Sequence, residues 1–195
     1  MLIADKPRIE MVKSATMAEG DEEDWQIVAR AYKEETKGLA QRVIDQLHRL
    51  RGYRYGYRVD RFEHCLQTAT RAQREGADDE TIVCALLHDI GDDLAPHSHG
   101  DYAAAILRPY ITAENHWLIQ HYRTFQGYHF FHFMGQDRNE RDKYKGHPAY
   151  ERTVLFCDRW DQASFDPNYD TMPLQAFQPK VERIFARQPF ALAAR

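Results

Sequence analysis

Apolar residues recur every three to four positions along most of the chain, the spacing typical of amphipathic helices. The period is clear in eight apolar residues between positions 24 and 50: Trp25, Val28, Ala29, Tyr32, Leu39, Val43, Ile44 and Leu47. Gly38 is expected to break this stretch into two helices. Because alternating runs of β-branched residues are few, the pattern predicts an all-α protein.

Capping residues and prolines set the ends of the other predicted helices. Asp60 is a plausible N-cap, with Glu63 three residues later, and Pro148 suits the first turn of a later helix. The predicted helices are 61–75, 79–87, 100–108, 112–123 and 148–165, followed by a last helical region. The stretches 51–57 and 126–147, rich in glycine and aromatic residues, are expected to be loops.

The chain has the length and composition of one globular domain. It contains 195 residues, of which 43% are hydrophobic and 29% charged, enough to bury a sizeable core. Residues 1–20 mix charge and methionine without a clear period, so we expect a mobile N-terminal arm. Residues 21–195 are then expected to form a single helical domain.

Charge and cysteine usage exclude several function classes. Lys and Arg number 26 against 30 Asp and Glu, giving a net charge of −4 that argues against nucleic-acid binding. The longest apolar run, Ile82–Leu87, is too short to span a membrane, and the first ten residues lack a signal-peptide core. Cys65, Cys84 and Cys157 form no Cys-x-x-Cys pair, which suits reduced thiols and a cytoplasmic location.

The ten histidines point to possible chemistry. His88 and Asp89 follow the apolar run Ile82–Leu87, and a buried acid is costly unless it is paired or bound to a metal. For an isolated His-Asp pair, a simpler explanation than a metal site is a helix-capping histidine beside a solvated aspartate. His64 and Asp161 change this interpretation, because four nitrogen and oxygen ligands suit a divalent transition metal. His64, however, falls off the apolar stripe of its own helix.

Two further histidines lie near apolar stripes. His121 follows apolar residues at three and four positions, whereas His116, five residues earlier, lies on another face of the helix. His99 leads a second helical stripe, and His97 is expected in a solvated loop. Taken alone, His99 or His121 is equally well explained as a core histidine whose ring is hydrogen-bonded within the protein.

This order of His, His-Asp and Asp resembles the HD-domain superfamily of metal-dependent phosphohydrolases. With His99 and His121 between them, the chain looks more like the mixed-valent di-iron oxygenase branch. That branch contains myo-inositol oxygenase and the oxygenases that cleave the carbon–phosphorus bond of 1-hydroxyphosphonates. The stretches 62–67 and 159–161 look particularly like the phosphonate oxygenases, and the similarity runs from about residue 53 to 167.

The resemblance implies an HD-type helical bundle with two iron ions, Fe(II) and Fe(III). The implied ligands are His64, His88, Asp89 and Asp161 for one ion and His99 and His121 for the other, with Asp89 bridging. The implied reaction uses O₂ to convert a small 1-hydroxyphosphonate into a carboxylate and phosphate. The leading alternative is a phosphohydrolase of nucleotides or phosphate monoesters with the same ligands. A non-enzymatic metal-binding sensor is the third possibility.

The expected substrate pocket departs from that of the phosphonate oxygenases. Their lysine one turn after the second-site histidine corresponds to Phe125 here, and the loop before Asp60 has tyrosines but no acid. Four cations could replace that lysine or be ordinary surface charge: Arg123, Lys143, Lys145 and Arg159. The predicted substrate-binding residues are Tyr55, Tyr57, Arg123, Phe125, Gln126, Tyr128, Lys145 and Arg159.

Aromatic residues are dense around the predicted site: Tyr53, Tyr55, Tyr57, Tyr122, Phe125, Tyr128, Phe130, Phe131 and Phe133. Core packing explains most such residues in most proteins. They could also form a cage for a trimethylammonium group, which aromatic faces attract.

Overall fold

The computed structural model describes residues 10–191, and these contain helices and no strands. The α-helices are α1 Glu22–Thr36, α2 Leu39–His48, α3 Arg61–Arg74, α4 Asp79–Leu87, α5 His99–Leu107, α6 Ala113–Gln126, α7 Tyr150–Leu155 and α8 Gln178–Phe185. A π-helical turn, Phe156–Asp161, continues α7. Short 3-10 turns are Met17–Glu19, Gly127–His129, Phe131–Met134, Glu140–Tyr144 and Leu174–Ala176. The all-α prediction is confirmed.

The chain separates into two compact units, with the division between Leu39 and Ala40. In the first unit, the Asp24 carboxylate of α1 accepts hydrogen bonds from the backbone N–H groups of Lys13 (2.9 Å) and Ser14 (3.3 Å). These bonds tie the segment before α1 to that helix, and the expected boundary at residue 20 stays a prediction. The predicted mobility of residues 1–20 stays a prediction, and residues 1–9 lie outside the described residues.

Side-chain caps and one glycine set the helix ends. The Asp60 carboxylate accepts from the Glu63 N–H at 2.9 Å, as predicted, and the Thr112 hydroxyl caps α6. Gly38 separates α1 from α2 with a φ of 74°, a left-handed conformation that glycine adopts without strain. Local chemistry thus defines where these helices begin and end.

The core of the second unit brings three chain segments to one point. Helix α3 packs against α4 and the π-helical turn, while α6 packs against α4, α5, α7 and the same turn. The predicted helix 148–165 is therefore replaced by α7 and a wider turn that ends at Asp161. The start of α3, the end of α4 and the end of this turn meet and build the site described below. No helix of the described residues is long and apolar enough to cross a membrane.

Candidate metal centre

The four ligands predicted for the first ion converge in the core. His64 Nε2 lies 3.1 Å from His88 Nε2, 3.2 Å from Asp161 Oδ1 and 3.3 Å from Asp89 Oδ2. His88 Nε2 lies 3.2 Å from Asp89 Oδ2. All four residues are buried. Four side chains of types that bind metals therefore meet in one buried space.

Each ligand is placed by the end of a helical element. His64 lies in the first turn of α3, His88 and Asp89 follow α4, and Asp161 ends the π-helical turn. His64 is buried although it lies off the apolar stripe, because α4 and the π-helical turn both pack against α3. Helical periodicity alone describes only one buried face, so it could not anticipate this burial.

The hydrogen bonds of the two imidazole rings fit a metal site. His64 Nδ1–H donates to the Ser164 carbonyl at 2.9 Å, and His88 Nδ1–H donates to the Ala85 carbonyl at 2.8 Å. Since a carbonyl only accepts, Nε2 of each neutral ring carries a lone pair directed at the shared space. Asp161 Oδ2 is buried and has no hydrogen-bond partner among the described residues. Two imidazoles and two carboxylates fit a divalent transition metal.

The charges in this space influence one another strongly. Burial opposes charge on His88, but the carboxylates of Asp89 and Asp161 raise its pKa to about 10. Burial likewise opposes charge on Asp161, yet its contacts with His64 and His88 lower its pKa to about 2. Without a metal the centre therefore holds ionised carboxylates and a proton on His88, which a bound cation must displace.

A second cluster adjoins the first through Asp89. His99 Nε2 lies 3.4 Å from Asp89 Oδ1, and His99 Nδ1 lies 2.7 Å from Asp92 Oδ1. Asp89, Asp92 and His99 are close enough to share a cation. Arg61 already pairs with this cluster, at 2.5 Å from Asp89 Oδ2 and 2.5 Å from Asp92 Oδ2.

Sequence reasoning missed two residues of this region, Arg61 and Asp92, and one hydrogen bond of Tyr122. Arg61 lies one helical turn before His64 on α3, and Asp92 lies three residues after Asp89 in the turn that follows α4. That spacing was the available signal. The hydroxyl of Tyr122 donates to Asp89 Oδ1 at 2.5 Å. The sequence placed Tyr122 among the aromatic residues around the predicted site but did not indicate this hydrogen bond.

His121 belongs to neither cluster within the described residues. Its ring stacks on Trp117 at 4.3 Å and meets Tyr144 edge-on at 5.0 Å, and its Nδ1–H donates to the Trp117 carbonyl. The next residue on α6, Tyr122, faces the centre instead. A rotation of 100° between neighbouring helical residues separates these two directions, and the role of His121 as a ligand of a second ion stays a prediction.

A pocket of about 520 Å³ opens beside the centre, with Asp89, His99 and Asp161 in its wall. Three predicted substrate-binding residues line it: Tyr57, Arg123 and Gln126. Aromatic rings also line it, those of Tyr122, Phe130, Phe131 and Phe165.

Two polar groups of this pocket wall have capacity for a ligand. Arg123 donates to the His97 carbonyl at 2.7 Å and forms no ion pair within the described residues. Gln126 Oε1 is buried and has no hydrogen-bond partner there. The wall thus offers a cation and a hydrogen-bonding amide.

Two predicted aromatic contacts do not line the pocket. Phe125 is fully buried and stacks with Tyr144 in the core at 6.0 Å. The ring of Tyr128 instead contacts the guanidinium groups of Arg138 at 4.2 Å and Arg141 at 3.8 Å. Phe125 lies in the last turn of α6, whereas Tyr128 lies in the 3-10 turn that follows this helix.

Three further predicted contacts also lie elsewhere. The Tyr55 hydroxyl donates to the Asp92 carbonyl at 3.0 Å. Lys145 pairs with an acid three residues earlier, and Arg159 pairs with Glu75 at 3.1 Å beside a separate groove. Lys145 and Arg159 therefore form ion pairs away from the wall of this pocket, and their contact with a substrate stays a prediction.

Comparison with known families agrees with this geometry. The family model of the HD domain matches residues 61–163, more than half of the chain. No match was found among curated proteins. An HD domain indicates a metal-dependent activity of the hydrolase or oxygenase type. Since the matched segment carries all four converging ligands, the chain belongs to the HD domain family.

Proposed function

We propose that this protein is a phosphohydrolase of small phosphate monoesters that uses one divalent metal ion. The ion is held by His64, His88, Asp89 and Asp161. The observation that carries the proposal is the double ion pair of Arg61 with Asp89 and Asp92.

The positive charge of Arg61 pairs with Asp89 and Asp92, the two carboxylates that a second metal ion would bind. Burial alone would lower the pKa of Arg61, but Asp89 and Asp92 raise it above its usual value. The guanidinium therefore stays charged at all relevant pH values. His121, the other ligand expected for a second ion, packs against Trp117 instead. Both facts favour a single ion.

The pocket supplies the other groups that the reaction needs. A divalent ion at this site supplies Lewis acidity for attack on phosphorus. Arg123, free of carboxylate partners in the described part of the chain, lines the same pocket and binds a phosphate oxygen there. His99, oriented by Asp92 at 2.7 Å, presents Nε2 to the pocket, where it can exchange a proton with the substrate.

Phosphate release under nitrogen tests this proposal. Metal-free protein is loaded separately with Mn²⁺, Co²⁺, Zn²⁺ and Fe²⁺ and assayed against a panel of phosphate monoesters. We expect turnover without O₂ at one ion per chain, and none in the matched variant Asp161→Asn. Absence of phosphate release with every ion and ester would refute the proposal.

The second candidate is a di-iron oxygenase that cleaves the carbon–phosphorus bond of a 1-hydroxyphosphonate. The cluster of Asp89, Asp92 and His99 favours it, because three ligands near the first ion could accept a second one. This activity needs O₂ and a redox-active metal, so Zn²⁺ cannot support it. Two irons per chain, with O₂ uptake and phosphate release from 1-hydroxyphosphonates, would establish it over the hydrolase.

A further inference from the structure

Phe165 lies between the pocket wall and the metal centre. Its ring stacks on the His64 imidazole with centroids 4.3 Å apart and planes 14° apart. The Tyr57 ring stacks on Phe165 at 4.2 Å and 18°. Since two rings cannot share one face at these distances, Phe165 is sandwiched between a half-exposed tyrosine and a buried ligand.

Ser164, the residue before Phe165, holds one edge of the His64 imidazole ring. The Ser164 carbonyl accepts the bond from His64 Nδ1–H at 2.9 Å. Ser164 is itself fixed, because its hydroxyl donates to the Trp160 carbonyl at 2.6 Å and its N–H donates to the Asp161 carbonyl at 3.0 Å. The group that sets the His64 tautomer is thus attached to the turn that carries Asp161.

A buried amide fastens this segment to α3. Gln67 Nε2 donates to the Asp166 carbonyl at 2.7 Å, and the Asp166 N–H donates to Gln67 Oε1 at 3.3 Å. Gln67 is fully buried and lies one helical turn after His64. Helix α3 therefore carries the ligand and also holds the segment that contacts it.

We propose that Phe165 is a positioning residue for the metal ligand His64. The Ser164 carbonyl fixes one edge of the imidazole, which leaves the ring free to tilt about that bond. The Phe165 ring removes this tilt and keeps Nε2 directed at the space shared with Asp89 and Asp161. The inference rests on the proposed function only in taking His64 as a metal ligand.

Titration with Co²⁺ alone tests the role of Phe165, because bound Co²⁺ has a visible spectrum that reports its ligand geometry. We expect Phe165→Leu to weaken Co²⁺ binding by about tenfold or more and to change the spectrum, as for other groups that orient metal ligands. Phe165→Tyr keeps the ring and should restore both. The control is Phe185→Leu, a buried phenylalanine of α8 that contacts Tyr110 and should leave Co²⁺ binding unchanged.

The outcomes separate this inference from the proposed function. Wild-type affinity and spectrum in Phe165→Leu would overturn it, as would an equal loss in Phe165→Tyr. Thermal unfolding of the metal-free variants shows whether each folds, and Phe165→Met replaces Phe165→Leu if that variant does not. A wild-type protein that binds Co²⁺ in a Phe165-dependent way but hydrolyses no ester would refute the hydrolase and support the positioning role.

Discussion

Binding of a divalent ion at pH 7 should release about one proton from the His88 side chain. The neighbouring carboxylates outweigh burial and raise the His88 pKa to about 10, so the metal-free ring is protonated at neutral pH. A metal needs the Nε2 lone pair, and the proton occupying it must leave. Binding and deprotonation of His88 are therefore coupled.

The size of this coupling follows from the pKa. At pH 7 the charged ring exceeds the neutral ring by about a thousandfold, and deprotonation costs about 4 kcal/mol of the binding free energy. This cost falls as pH rises towards the pKa. The apparent affinity should thus increase about tenfold for each pH unit between 7 and 9.

Isothermal titration calorimetry with Mn²⁺ in buffers of different ionisation enthalpy measures the released proton directly. The variant His121→Ala is the matched control, because His121 packs on Trp117 and should leave proton release unchanged. An affinity independent of pH between 7 and 9, or binding without proton release, would refute the assigned protonation of His88.

Three other changes have outcomes that follow from single contacts. Asp161→Asn removes a charge and should lower metal occupancy below half at ion concentrations that saturate the wild type, measured by elemental analysis; equal occupancy would exclude Asp161 as a ligand. Arg123→Ala should raise KM for a phosphate ester by about tenfold with little change in kcat, since a charged hydrogen bond contributes at least about 1.5 kcal/mol; steady-state kinetics decides this, and an unchanged KM would remove Arg123 from the site. Glu80→Ala, far from the pocket, deletes a buried carboxylate that binds Thr112 and Arg187 and should lower the free energy of unfolding by about 3 kcal/mol in urea titrations, without affecting metal binding.

Local rules of the chain determined much of the fold. Helix ends at Asp60 and Thr112 follow from side chains that accept hydrogen bonds from nearby N–H groups, so a short window of sequence contains the whole interaction. His88 and Asp89 were recognisable in the same way, because the apolar run before them predicts a buried helix that ends at these residues. Spacing alone did not place His64 and Asp161 beside them; the resemblance of this order of residues to the HD-domain superfamily implied it.

Only the tertiary structure decided which of two neighbouring residues faces the centre. On α6 it is Tyr122 that reaches Asp89 and His121 that packs on Trp117, although both follow apolar residues in the sequence. Arg61 likewise meets Asp92 across 31 positions. The direction in which a helix presents its polar residues depends on which elements pack against it, and no local pattern contains that information.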